Sequence, residues 1–351
     1  MGIDKLLTYD QVICHLKNKH RTKHLLFGNG FSIAYDKDIF SYNALSKFIE
    51  NTEDPLIKTL FEKLNTKNFE IIMQQLDNFC EIANVFSDDK TLVTKIKTAT
   101  LKLKNSLIDA VKELHPEHVF KVPEEKSQAC IRFLQDYLEQ NGFVFSTNYD
   151  LLPYWVLMRN QAKNAVDGFG RDLETDFEEG KFIPPEDLEF SELRWGKHKE
   201  NQNIFYLHGA LPIFDMGVNI VKVQYDNEHY LLQNVSDRID AKEYPIFVTA
   251  GNGEEKLTHI MHNKYLSFCY DQLCNIQGSL VTFGFNFGDY DNHIIQAINK
   301  ASKNKPPKKL WSVYIGVFSE EDLVHITRLE KDKKFKCKII PYNARTANIW
   351  G

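Results

Sequence analysis

The sequence predicts an α/β fold: a doubly wound, mostly parallel sheet with a helical subdomain inserted into it. Three observations lead there. Seven short apolar runs rich in β-branched and aromatic residues punctuate the chain. They are nearly continuously apolar rather than alternating, as expected of strands covered on both faces. Helix-period stretches separate several of them, the pattern of a parallel sheet with helical crossovers.

The strand candidates, in order, are HLLFG at 24–28, FVFST at 143–147, IFYLHG at 204–209 and PIFVTAG at 245–251, followed by SLVTFGF at 279–285, WSVYIGV at 311–317 and CKIIPY at 337–342. Helical spacing marks 257–275 and 292–302. Between the first two strands, SYNALSKFIE (41–50) and the stretches that follow it are amphipathic at helical spacing. No interval that long stays structureless in a compact domain. The expected division is a sheet-forming domain of residues 1–45 plus 140–351, with a helical subdomain at 46–139. The polar, acidic interval 168–203, broken by Pro and Gly, reads as a surface excursion or lid. KNKPPKK (303–309) reads as a solvated turn.

At 351 residues, 43% hydrophobic and 26% charged, the chain is long enough for two structural units and has a globular composition. Its formal net charge of -5 argues against whole-surface attraction to nucleic acid, and no direct nucleic-acid binding is expected. No apolar run approaches the roughly 18 residues that span a bilayer, and the N-terminal stretch lacks the pattern of a secretory signal. A cytoplasmic protein without membrane contact is expected. Of the cysteines at 14, 80, 130, 269, 274 and 337, only the C-x4-C pair at 269 and 274 is close. With no second pair, neither structural zinc nor disulfides are expected.

In a doubly wound sheet, ligands sit beyond the carboxyl ends of the strands. GNGFS (Gly28, Asn29, Gly30, Phe31, Ser32) follows the first strand, and is either a backbone cradle for phosphate or a tight turn, since Ile33 stands where a third glycine would be. STNYD follows the second; Thr147, Asn148 or Asp150 could cap the next helix, but capping leaves the Asn unexplained. His208 and Gly209 end the third, the histidine being either a core-edge residue or a base reaching into the cleft. GFNFGDYDN follows the strand at 279–285, with Gly284, Asn286, Asp289 and Asp291. Its acids suit helix capping better than metal binding. The four elements would converge on one crevice, and that coincidence favours phosphate at the first loop.

In this order, GNGFS, TNYD, LHG and GFNFGDYDN resemble the signatures of the sirtuin (silent information regulator) family, and most of all its divergent bacterial members from antiphage defence systems. Those signatures are Gly-Ala-Gly-x-Ser, Gln-Asn-x-Asp, a strand-end His-Gly and a later Gly-x-Ser. The resemblance spans about 20–45 and 140–300. It implies a Rossmann-like NAD+-binding domain. Gly28, Gly30 and Ser32 would hold the pyrophosphate, with Asn29 and Phe31 in the same loop. Asn148 would position the nicotinamide ribose and the attacking water, beside Thr147, and Asp150 would lie at the carboxamide. His208 would be the base or the ribose-orienting residue. Gly284 and Asn286, with Asp289, would lie near the adenosine half.

The chain departs from deacylating sirtuins in three places. It lacks their four-cysteine zinc module, it has AYDKDIFSYN in place of Ile-Pro-Asp-Phe-Arg, and it reads Gly-x-Asn where they have Gly-x-Ser. The peptide cleft depends on the zinc module, so the expected activity is cleavage of NAD+ to nicotinamide and ADP-ribose, not deacylation. Such cleavage passes through an oxocarbenium-like state, for which one Asn and one His suffice with no metal. An activity that depletes NAD+ has to be gated. The resemblance implies gating by homo-oligomerisation or by a HerA-like hexameric ATPase partner. The alternative activities are an NAD+- or ADP-ribose-sensing module without hydrolysis, and an NAD+-dependent protein deacylase.

Overall fold

A computed structural model describes residues 2–37, 55–64, 69–86, 90–114, 118–171, 175–176, 181–182, 192–224, 230–241, 243, 245–248 and 253–351. The amphipathic stretch 41–50 lies outside the described residues, as does most of the interval 172–191.

The chain begins with a short strand β1 (Leu7–Thr8) and helix α1 (Tyr9–Asn18), opened by a capping box between Thr8 and Gln11. Strand β2 (Lys23–Phe27) runs into the short helix α2 (Gly30–Tyr35). Helices α3 (Pro55–Lys63), α4 (Phe69–Phe86), α5 (Lys90–Leu114) and α6 (Glu124–Leu138) follow, then β3 (Val144–Ser146) and α7 (Leu152–Arg159). Next come β4 (Phe169–Gly170), β5 (Thr175–Asp176), β6 (Lys181–Phe182), β7 (Leu193–Trp195), β8 (Ile204–Tyr206), β9 (Gly209–Asp215) and β10 (Ile220–Lys222). Helix α8 (Leu231–Asp240), β11 (Pro245–Phe247), α9 (Gly253–His262) and α10 (Lys264–Cys274) lead to β12 (Gly278–Phe283). The chain closes with α11 (Asn292–Lys303), β13 (Leu310–Val317), α12 (Glu320–Lys331) and β14 (Lys338–Asn343).

Seven strands form one sheet in the order β1-β14-β13-β12-β2-β3-β8, and every pairing is parallel. Setting aside β1, its strands stand in the chain order third, second, first, fourth, fifth, sixth, the order of doubly wound nucleotide-binding sheets. The order reverses between β2 and β12. Strands β2, β3 and β8 and nearly all of β12 are buried on both faces, as their continuous apolar runs require.

A second sheet, β11-β9-β10-β7-β4, is antiparallel throughout and was not foreseen. It takes the run at 245–248 away from the parallel sheet, and it takes strands β4 and β7 from an interval expected to be a surface excursion. The switch between sheets occurs at Gly209, where φ is +83° and an added Cβ would lie 1.8 Å from the Ile246 carbonyl oxygen. Only glycine fits a left-handed residue against that strand. The expected single helix over 257–275 is two helices, because Asn263 adopts extended backbone and its side chain accepts from the amides of Tyr265 and Leu266.

Helices α3, α4 and α5 bury a small core of their own around Ile57, Phe61, Ile72, Cys80 and Leu103. Helix α6 instead joins the core of the parallel sheet through Cys130, Phe133, Leu134 and Tyr137. All six cysteines are free thiols. Among the described residues, no helix is long and apolar enough to cross a membrane.

Candidate active site

The carboxyl ends of β2, β3, β8 and β12 are tied together by backbone bonds. The Gly28 amide donates to Phe283, the Thr147 amide to Phe27 and the Leu207 amide to Ser146. Ser146 and Tyr206 are register partners, so Asn148 and His208, each two residues further on, stand at matching places past adjoining strands.

The glycine loop has a clear packing rationale. The Gly30 amide donates to the Gly284 carbonyl at 3.0 Å, and a Cβ on either glycine would lie 2.5 Å from the other's Cα. The loops after β2 and β12 therefore meet backbone to backbone at the point where the strand order reverses. The amides of Gly28, Gly30, Phe31, Ser32 and Ile33 all donate within the protein. What the loop presents outward is the exposed side chain of Asn29. Phe31 points the other way. Its fully buried ring stacks on Phe27 with centroids 4.4 Å apart, and Trp350 lies edge-on to it and donates its indole N–H to the Phe31 carbonyl.

Ser32 is fully buried and joins two other sequence candidates in one network. The Asn148 amide nitrogen donates to Ser32 Oγ at 2.9 Å, and Ser32 Oγ donates to Asp150 Oδ2 at 2.5 Å. Asp150 Oδ1 accepts the Leu152 amide at 3.0 Å, which orders the start of α7. Burial pushes the Asp150 carboxyl above its usual range, and the bonds from Ser32 and Leu152 oppose that shift.

A second polar cluster surrounds His208. Its Nε2 lies 2.8 Å from Nε2 of His293, the second residue of α11. Burial, His293 and the Lys256 ammonium hold His208 well below the ordinary imidazole range, and burial with Lys256 lowers His293 to about 3. Lys256, on α9, reaches Asp291 Oδ1 at 3.4 Å. Asp291 was expected to cap α11; it occupies the N-cap position without a side-chain cap bond, because its carboxylate turns toward Lys256. Burial raises the Asp291 carboxyl and the Lys256 charge opposes the rise.

Three further candidates also follow the strand ends. Thr147 is half-buried and its hydroxyl donates to the Phe27 carbonyl at 3.3 Å. Asn286 is exposed and accepts the Gly288 amide. Asp289 lies in a single 3-10 turn before α11.

His208, Asp291 and His293 bring three donor atoms within 4.8 Å of one another. A cation there would meet the Lys256 ammonium beside Asp291. His293 would also lack the bond at its second nitrogen that orients metal-binding imidazoles. The arrangement suits neutral hydrogen bonding better. His293 and Lys256 were not singled out from the sequence. The signal in the sequence was the position of His293, immediately after the polar stretch GFNFGDYDN.

Two cavities, of about 250 and 290 Å³, are both lined by Asp167, and the second also by its ion-pair partner Lys222. Neither is lined by Asn148 or His208. Residues 25–350 match the family described as a domain of unknown function (DUF4917). No curated protein matches the chain.

Proposed function

The chain belongs to the DUF4917 family, and we propose that it is an NAD+ glycohydrolase that releases nicotinamide and ADP-ribose. The observation that carries this reading is the pairing of Asn148 with His208. Both stand past adjoining parallel strands, on the β2 side of the point where the order of a doubly wound sheet reverses. The sirtuin-like motif order adds the substrate. Asn148, held by Ser32, orients the ribose and a water, and His208 orients or deprotonates. The bond to nicotinamide breaks without a general acid, because the leaving group departs neutral from a cationic precursor.

In this reading the pyrophosphate rests against Asn29 and the outer face of the glycine loop, since the loop amides donate internally. Ser32 acts behind Asn148 rather than on phosphate. Asn148 and His208 are themselves buried, at 6% and 4% exposure, which supports an enzyme that opens only on a signal. Gating by self-assembly or by a HerA-like hexameric ATPase belongs to the same proposal. The exposed Phe79, Ile82, Val85 and Phe86 of α4 offer an apolar surface for it. Depletion of NAD+ during phage infection, in the cytoplasm, is the proposed outcome.

The alternative is a module that senses NAD+ or ADP-ribose without cleaving it. Incubating the purified protein with NAD+ and quantifying nicotinamide and ADP-ribose, beside Asn148→Ala, separates the two. Product that disappears in the variant supports the hydrolase. Tight binding with no product, even with an added ATPase partner or infected-cell lysate, supports the sensor.

A further inference from the structure

We infer that His293 is a positioning residue for His208: its Nε2–H donates to His208 Nε2 and thereby holds His208 in the tautomer protonated on Nδ1. The consequence for turnover rests on the glycohydrolase reading. The tautomer itself rests on packing alone.

The 2.8 Å separation of the two Nε2 atoms requires one proton between them. Two lone pairs would repel at that distance, and two N–H groups would collide. The charged groups around the pair are the Lys256 ammonium from α9 and the Asp291 carboxyl ahead of α11, which face each other. From α10, the Tyr270 hydroxyl donates to the His293 backbone carbonyl at 2.9 Å and fixes the start of α11. Burial beside an ammonium disfavours an imidazolium on either ring, so the pair is neutral.

Two arrangements remain. If His208 donates, His293 carries its own proton on Nδ1. That atom is buried and, among the described residues, has no hydrogen-bond partner. A buried N–H without an acceptor suffers its full desolvation penalty. If His293 donates instead, its Nδ1 keeps only a lone pair, and unmet acceptors are tolerated better than unmet donors. The second arrangement is the cheaper one.

His208 then has its Nε2 lone pair engaged and its Nδ1 protonated, so at rest it offers a hydrogen-bond donor and no base. Its part in turnover is to orient a ribose oxygen. The C1′–N bond breaks with its electron pair passing to the nicotinamide nitrogen. The water oxygen bonds to C1′ as a neutral nucleophile, and its proton leaves to solvent afterwards.

The test begins with the full chain labelled with 15N-histidine. Long-range nitrogen–proton correlations, assigned with His293→Gln, are expected to show His208 protonated on Nδ1 and His293 on Nε2. The reverse pattern overturns the inference. The NAD+ assay supplies the second arm. His293→Gln, whose amide N–H still reaches His208, is expected to keep kcat within about threefold, whereas His293→Leu loses on the order of 100-fold with little change in KM. Neither the wild type nor His293→Leu is expected to gain an acid limb near neutral pH, because burial, the first cause of the low His208 value, persists in both. Equal losses in Gln and Leu would overturn the positioning role. An inactive wild type would sink the glycohydrolase reading and leave the nitrogen spectrum to decide the tautomer.

Discussion

The two polar clusters past the parallel strands are built on opposite principles. Around Ser32, Asn148 and Asp150, an acid is held by donors that satisfy it: Ser32, the Leu152 amide and, through Ser32, Asn148. Around His208 and His293, two bases are held neutral beside a cation, with one ring nitrogen left unmet. The first cluster is a scaffold that fixes Asn148. The second keeps an imidazole uncharged where water would let it titrate. Their difference teaches that the Asn is placed by satisfied bonds, and the His by the cost of the alternatives.

Substitution of the two central residues separates the clusters most sharply. Asn148→Ala is expected to lower NAD+ turnover by about 100- to 1000-fold, through loss of the side chain that positions the ribose and the attacking water. His208→Ala is expected to cost on the order of 100-fold. Both are read by nicotinamide release, and wild-type rates in both would place the site elsewhere.

Next in size is the seam that brings the loops together. Gly284→Ala forces a Cβ to within 2.5 Å of the Gly30 Cα at a residue whose φ is +62°. A loss of about 3 kcal/mol or more is expected in urea unfolding, because backbone cannot move aside as a side chain can. A variant as stable as the wild type would mean the loops separate readily.

The pH dependence of stability compares the clusters directly, with opposite signs. Asp150 is raised above 3.8 in the folded chain, so just above that pH the folded state binds more protons than the unfolded one. Its contribution therefore falls as pH rises through the folded value, and Asp150→Asn removes that fall. His293 is lowered from 6.5 to about 3, so the unfolded chain binds more protons between those values. Its contribution is full above pH 6.5 and is lost on acidification, with a slope of up to about 1.4 kcal/mol per pH unit. Urea titrations of wild type, Asp150→Asn and His293→Gln from pH 4 to 7.5 resolve the two. Slopes of one sign throughout would contradict the division.

The smallest effect is expected at Asn29. Removing one exposed amide that faces the pyrophosphate in the proposed complex should raise KM for NAD+ about three- to tenfold and leave kcat unchanged.

Much of this was legible in the residues. The parallel strands announced themselves as apolar runs, because burial on both faces leaves little room for alternation, and the polar residues after them marked the candidate site. The antiparallel sheet was not legible. Strands β4, β7 and β10 are only two or three residues long, too short to show a period, and Gly209 hid a change of sheet inside a familiar His-Gly pair. Ser32 read as a phosphate ligand because a glycine loop says nothing about which way the next side chain points. His293 escaped notice because its partner, His208, lies 85 residues away in the chain.

Trp350 has one more consequence. Of the four tryptophans, it is the one bonded to Phe31, and its ring lies against both Phe31 and Tyr35 of α2. Indole emission depends on local polarity and on neighbouring rings, so any shift of the glycine loop is written into the fluorescence of this single residue. With Trp155, Trp195 and Trp311 replaced by phenylalanine, the chain would carry its own optical gauge of loop movement, readable on stopped-flow timescales without a label.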